Sequence, residues 1–258
     1  MDAETYYLTG CVALAMDSYD EASSNFTEAY GEDATYDRAI QIYEAYLEKD
    51  MEADGTRYLE AALKTEAKNA EDYCNRGKVY YYMEDYSNAQ KELTEAVNQK
   101  STEGMLLLGM VYRAQGDTSN ARSMYQQYVS ADDSEPAKGY NGLALCDMDD
   151  GSYDSALENI SKGLEDASTE EMQDLLFNEI VVYEIKLDFS TALSKMQEYI
   201  KMFPDDENAA KELTFLQSRN GELSNDTASD TTENTDAEAA SDAGDAADTS
   251  DEAGEEEY

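Results

Sequence analysis

The side chains that could do chemistry in this chain are dominated by carboxylates, with a few cysteines and no histidine. The 258 residues hold 59 Asp and Glu, 3 Cys and 21 Tyr, and no His. Lacking His, the chain has no usual activator for a Ser or Cys nucleophile. It also lacks the commonest general base and the commonest metal ligand. Zinc held by cysteine alone needs four thiolates close together, whereas Cys11, Cys74 and Cys146 are too few and lie far apart in sequence. They form no Cys-x-x-Cys pair, and an odd, scattered set is not a disulfide framework. They read as small apolar residues. Carboxylate pairs of the kind that hydrolyse glycosides abound, but so many acids pair by chance. There is no Gly-rich phosphate loop. No catalytic residue, cofactor site or metal site is therefore assigned, and the chain is not expected to be an enzyme.

Two local patterns come closer to a site. Asp147-Met-Asp149-Asp150-Gly151-Ser-Tyr153-Asp-Ser155-Ala-Leu-Glu158 sets acids at the first, third and twelfth places of a calcium loop. Its glycine falls fifth, where the loop requires it sixth for a sharp turn. The stretch reads instead as a turn between two helices. Leu8-Thr-Gly-Cys11 spells a lipoprotein-like cleavage box, but it follows the acidic start Met1-Asp-Ala-Glu4 with no apolar run before it.

The elements that must carry these residues announce themselves by repetition. Tyr19-Asp-Glu-Ala22, Tyr86-Ser-Asn-Ala89 and Tyr153-Asp-Ser-Ala156 each follow one apolar, helix-like run and open another. With the alanines in register, Gly10, Gly77, Gly109 and Ala144 fall at an eighth place, and Ala22, Ala89, Ala121 and Ala156 at a twentieth. Small residues there let two helices cross closely. Copy two is degenerate, with Gly55 in the small-residue place. This pattern resembles the tetratricopeptide repeat, whose period is about 34 residues, and in particular bacterial members with an acidic C-terminal tail. Departures from the family pattern are the absence of Trp, a closing proline only at Pro204, and Asp147 where an aromatic is usual.

The resemblance implies an all-α fold: a right-handed superhelical solenoid of about six antiparallel helix pairs, ending in a capping helix. The units fall near residues 3–34, 36–69, 70–101, 102–135, 137–168 and 171–204, with the cap at 206–219. From 220 to 258 the chain is expected to be a disordered acidic tail. It has no Lys or Arg and 14 Asp and Glu among small polar residues, so it cannot bury enough apolar surface to offset its ordering entropy.

Of the net charge of −41, the tail supplies −14 and the repeat body −27. Such a field disfavours nucleic acid and anionic membranes. No apolar run approaches the ~20 residues of a spanning helix. A monomer is expected. The first unit begins almost at residue 3 with no polar capping segment, as terminal repeats normally have. The expectation is a downstream part of a longer repeat protein. Localisation stays open: cytoplasmic by the absence of a leader, or extracytoplasmic or lipid-anchored if a leader lies upstream.

By resemblance, the second, fifth, ninth and twelfth places of each first helix face a concave groove. The groove residues expected to meet a partner are Tyr7, Lys78, Tyr81, Met110, Arg113, Lys138, Asn141, Leu145 and Phe177. Apolar and polar side chains interleave among them, which suits an extended peptide or short helix. Lys78, Arg113, Lys138 and Asn141 are read either as a patch that receives a carboxylate or as solvated side chains with no ligand. In the first case the acidic tail would compete for the patch. The implied function is a non-catalytic protein–protein interaction scaffold that holds a protein or peptide partner in the groove. The alternative is an acidic binding protein for basic proteins or cations, acting through its polyanionic tail.

Overall fold

The computed structural model describes residues 1–230, and these form thirteen helices and no strand. The first six pair as α1 (Ala3–Ala15) with α2 (Tyr19–Glu32), α3 (Tyr36–Leu47) with α4 (Glu52–Ala62), and α5 (Ala70–Tyr82) with α6 (Tyr86–Asn98). Then α7 (Thr102–Ala114) pairs with α8 (Thr118–Val129), α9 (Pro136–Asp149) with α10 (Tyr153–Gly163), and α11 (Thr169–Ile185) with α12 (Phe189–Met202). The last helix, α13 (Glu207–Asp230), packs on α12. It runs beyond the Arg219 end expected of the cap, and the rest of the acidic tail lies outside the described residues.

One turn joins both helices in every unit. Its central residue has a left-handed backbone: Asp17, Asp50, Glu84, Gly116, Gly151 and Leu187 all have φ between 56° and 77°. The next residue's N–H bonds back to the carbonyl five residues earlier, as in Ser18 to Ala13 (2.8 Å), Asp117 to Tyr112 (2.8 Å) and Ser152 to Asp147 (2.7 Å). This closes the first helix in a Schellman arrangement. That same residue starts the second helix: the Asp85, Asp117 and Asp188 side chains each accept from the backbone N–H three residues on. The calcium-like stretch at Asp147–Glu158 is one of these turns, with Gly151 at its left-handed place.

Within a unit the helices meet where the small residues lie. A Cβ added to Gly77 would lie 2.4 Å from Leu93 Cγ, and one added to Gly109 would lie 2.7 Å from the Tyr125 ring. The degenerate second unit reverses this relation. Tyr43 stands at its eighth place, and Gly55 opposite it has no room for a Cβ, which would come 2.9 Å from Tyr43 Cα. Bulk moves from one helix to the other while the crossing distance is kept. Phe26, Tyr46, Leu59, Leu93, Ile160, Leu175 and Met196 fill the resulting core.

Successive first helices also touch one another, α1 with α3, α3 with α5, and so on to α9 with α11. Among the described residues no comparable contact joins successive second helices. The first helices therefore line the inner side of the array. No helix among the described residues is long and apolar enough to cross a membrane.

Candidate functional site

Three neighbouring first helices, α7, α9 and α11, enclose a cavity of about 470 Å³. Tyr81 of α5, Leu106 and Met110 of α7, Leu145 of α9 and Tyr125 of α8 give it an apolar floor. The floor depends on two glycines. Tyr125 is held between Gly109 and Gly142, and a Cβ on Gly142 would lie 2.5 Å from its ring. Burial pushes the Tyr125 hydroxyl well above its ordinary value, so it stays neutral.

The polar wall differs from what the cations alone imply. Arg113 reaches across to α9 and donates to both Asp149 carboxylate oxygens, at 2.6 Å from Nε and 3.3 Å from Nη2. Lys138 pairs with Glu135 one turn back. Asn141 accepts from Asn178 Nδ2 at 2.8 Å. The rest of the rim is acidic: Glu170, Glu171 and Asp174 from the start of α11. Glu171 closes a capping box with Ser168, accepting at 2.7 Å from the Ser168 N–H. Glu170 and Asp174 take part in no ion pair among the described residues. Partial desolvation at the cavity mouth, where Asp174 keeps contact with solvent, and then the like charge of Glu170 raise the Asp174 pKa.

Of the nine groove residues read from the sequence, Tyr81, Met110, Arg113, Lys138, Asn141 and Leu145 line this one cavity. Phe177 lines an adjoining hollow that shares Asn141 and Leu145 with it. Tyr7 lies at the far end of the array, against Phe26 and beneath the Arg38 guanidinium, 4.9 Å from the ring. Lys78 lies outside these cavities. Of the patch read from Lys78, Arg113, Lys138 and Asn141, Lys78 does not line the cavity, and Arg113 and Lys138 are each paired with a carboxylate. Four residues of the acidic wall were missed. Asp174 occupies the second place of its unit, where the groove rule itself points inward. Asp149, Glu170 and Glu171 lie outside the rule, beside helix ends.

The tetratricopeptide repeat profile matches residues 74–136 and 106–171. Over residues 74–171 the chain carries tetratricopeptide repeats. These matches cover the units of α7 and α9 and stop at the start of α11. Among solved structures, a tetratricopeptide repeat protein from Parabacteroides merdae is similar at TM-score 0.61 and 16% identity, over 83% of this chain and 84% of that one. The type IV pilus biogenesis factor PilW is similar at TM-score 0.52 and 14% identity, over 82% and 98%. The Cut9-Hcn1 hetero-tetramer of the APC/C gives TM-score 0.52 and 17% identity, over 83% of this chain but 42% of that chain. At such identities the likeness is one of fold. No curated protein matches the sequence.

Proposed function

We propose that this protein holds a protein or peptide partner against its inner surface, with the cavity between α7, α9 and α11 as the anchoring point. The fold supports a protein–protein interaction scaffold in general. The particular reading rests on one observation: an apolar hollow of about 470 Å³ opens on the side lined by first helices, across three consecutive units. A hollow of that size receives one or two large side chains of an extended segment. Nothing in the lining favours covalent chemistry. The Cys146 thiol nearby is buried, and burial pushes it up to about 11, away from the thiolate that reacts.

A photo-crosslinking residue tests this placement. Put in place of Lys138, on the cavity rim, it should yield partner adducts in the cells that make the protein. In place of Lys162, exposed on α10, it should not. Equal adducts from both positions would overturn the placement, as would Lys138 adducts that persist when Met110→Glu charges the floor.

A further inference from the structure

Resting on that reading, the chemistry of the rim narrows the class of partner. We infer that the cavity takes an apolar side chain flanked by a lysine or arginine of an extended peptide, the cation lying against Glu170 and Asp174. Three observations lead there. The floor is mainly apolar, built by Leu106, Met110, Leu145 and the rings of Tyr81 and Tyr125. The two cations of the wall are engaged, Arg113 by Asp149 at 2.6 Å and Lys138 by Glu135. A ligand carboxylate would have to displace one of these pairs and then sit beside four acids. Finally, Glu170 and Asp174 stand one helical turn apart on α11, both exposed and both without an ion pair among the described residues.

Like charges at this spacing repel, and their place in the first turns of α11 relieves the repulsion only partly through the helix dipole. A guanidinium or ammonium group between them removes it and adds charge-assisted hydrogen bonds. The repeat body, with 45 acids against 18 bases, adds a long-range attraction for the same ligand. An acidic ligand is opposed at every one of these levels.

The test is selection of a random-peptide phage library on the full chain, followed by synthesis of the enriched peptides. The expected winners carry Lys or Arg beside an apolar residue. Their binding should weaken about five-fold in the Glu170→Gln/Asp174→Asn double variant, weaken with salt, and vanish when the peptide cation becomes Glu. Both substituted residues are exposed, and unchanged helical circular dichroism establishes that the variant is folded. Winners that lose binding on Met110→Ala but show no preference for a cation, or prefer acids, overturn the basic-ligand inference and leave the groove intact. Winners indifferent to both Met110→Ala and Leu145→Ala, or no enrichment at all, overturn the groove reading and this inference with it.

Discussion

Replacing Glu184 by Gln should stabilise the C-terminal end of the array at alkaline pH and leave it unchanged in acid. Glu184 occupies the twelfth place of the last first helix, α11, and its Oε1 atom is buried without a hydrogen-bond partner. The carboxyl group of Glu212, from α13, stands within hydrogen-bonding reach. Two carboxyl groups in contact hold together when they share a proton and repel when both ionise. Burial, and then the charge of Glu212, raise the Glu184 pKa from 4.5 to about 7. The sign follows directly. The folded state keeps this proton to higher pH than the unfolded chain, so its contribution is complete below 4.5 and is lost as pH rises through about 7. Each pH unit of that interval corresponds to about 1.4 kcal/mol, giving roughly 1–3 kcal/mol for a pair that shares the effect. Glutamine keeps the shape, cannot ionise, and donates to the Glu212 carboxylate. Amide hydrogen exchange in α12 and α13 measures it locally, wild type against variant, at about pH 4 and about pH 8. Protection should rise in the variant at the higher pH only. An equal gain at both pH values, or a loss at the higher one, would refute the shared proton.

Five further substitutions probe the repeat architecture by thermal melting. Gly142→Ala pushes a methyl into the Tyr125 ring, where a Cβ would lie 2.5 Å from Cε1. Overpacking of ~1–3 kcal/mol outweighs the ~1 kcal/mol gain in helix propensity, so the melting temperature should fall; an unchanged or raised value contradicts the clamp on Tyr125. Arg122→Ala leaves Asp147, 4% exposed, with only the Asn159 amide at 2.7 Å, and should cost roughly 2–4 kcal/mol. Lys186→Ala breaks a bridge to Asp154, whose side chain is 90% exposed, and should leave melting unchanged; equal effects of these two variants would show that burial does not set the difference. Gly151→Ala and Leu187→Gly act on the same left-handed turn position in two units, at φ 73° and 60°, and should shift stability by roughly 0.5–1 kcal/mol in opposite directions, down and up.

The fold was legible because it rests on spacing. Gly77 and Ala89, or Gly109 and Ala121, are small for a reason that recurs in each unit, so two copies are enough to set the register and the rest follow. Where the register weakened, compensation had hidden it. Tyr43 and Gly55 exchange large for small across one helix crossing, and the pattern of residue types is lost while the crossing itself is kept. The turn was legible at Gly151 but not at Asp17, Asp50, Glu84 or Leu187, since residue type does not declare a left-handed backbone that the flanking helices impose. Asp147 was visible as a departure from the aromatic usual there. What it does was not visible, because Arg122 comes from the preceding unit and Asn159 from the following helix.

The cavity divides along the same line. Which first-helix residues share the inner surface follows from period, and six of the nine named by period line one hollow. Its charge has no period. In a body with 45 acids and 18 bases, both cations of this cavity are paired, Arg113 with Asp149 on the next first helix and Lys138 with Glu135. Pairing therefore consumes the cations first, and the field that remains is set by acids left over at helix starts, such as Glu170 and Asp174. Glu170 lies in the first turn of α11, where the helix dipole favours negative charge, and Asp174 stands one turn further on. A local folding preference of α11 thus fixes the sign of a groove built mainly by α7 and α9. For a chain of this composition, the cations that stand out in the sequence are the poorest guide to what the groove attracts.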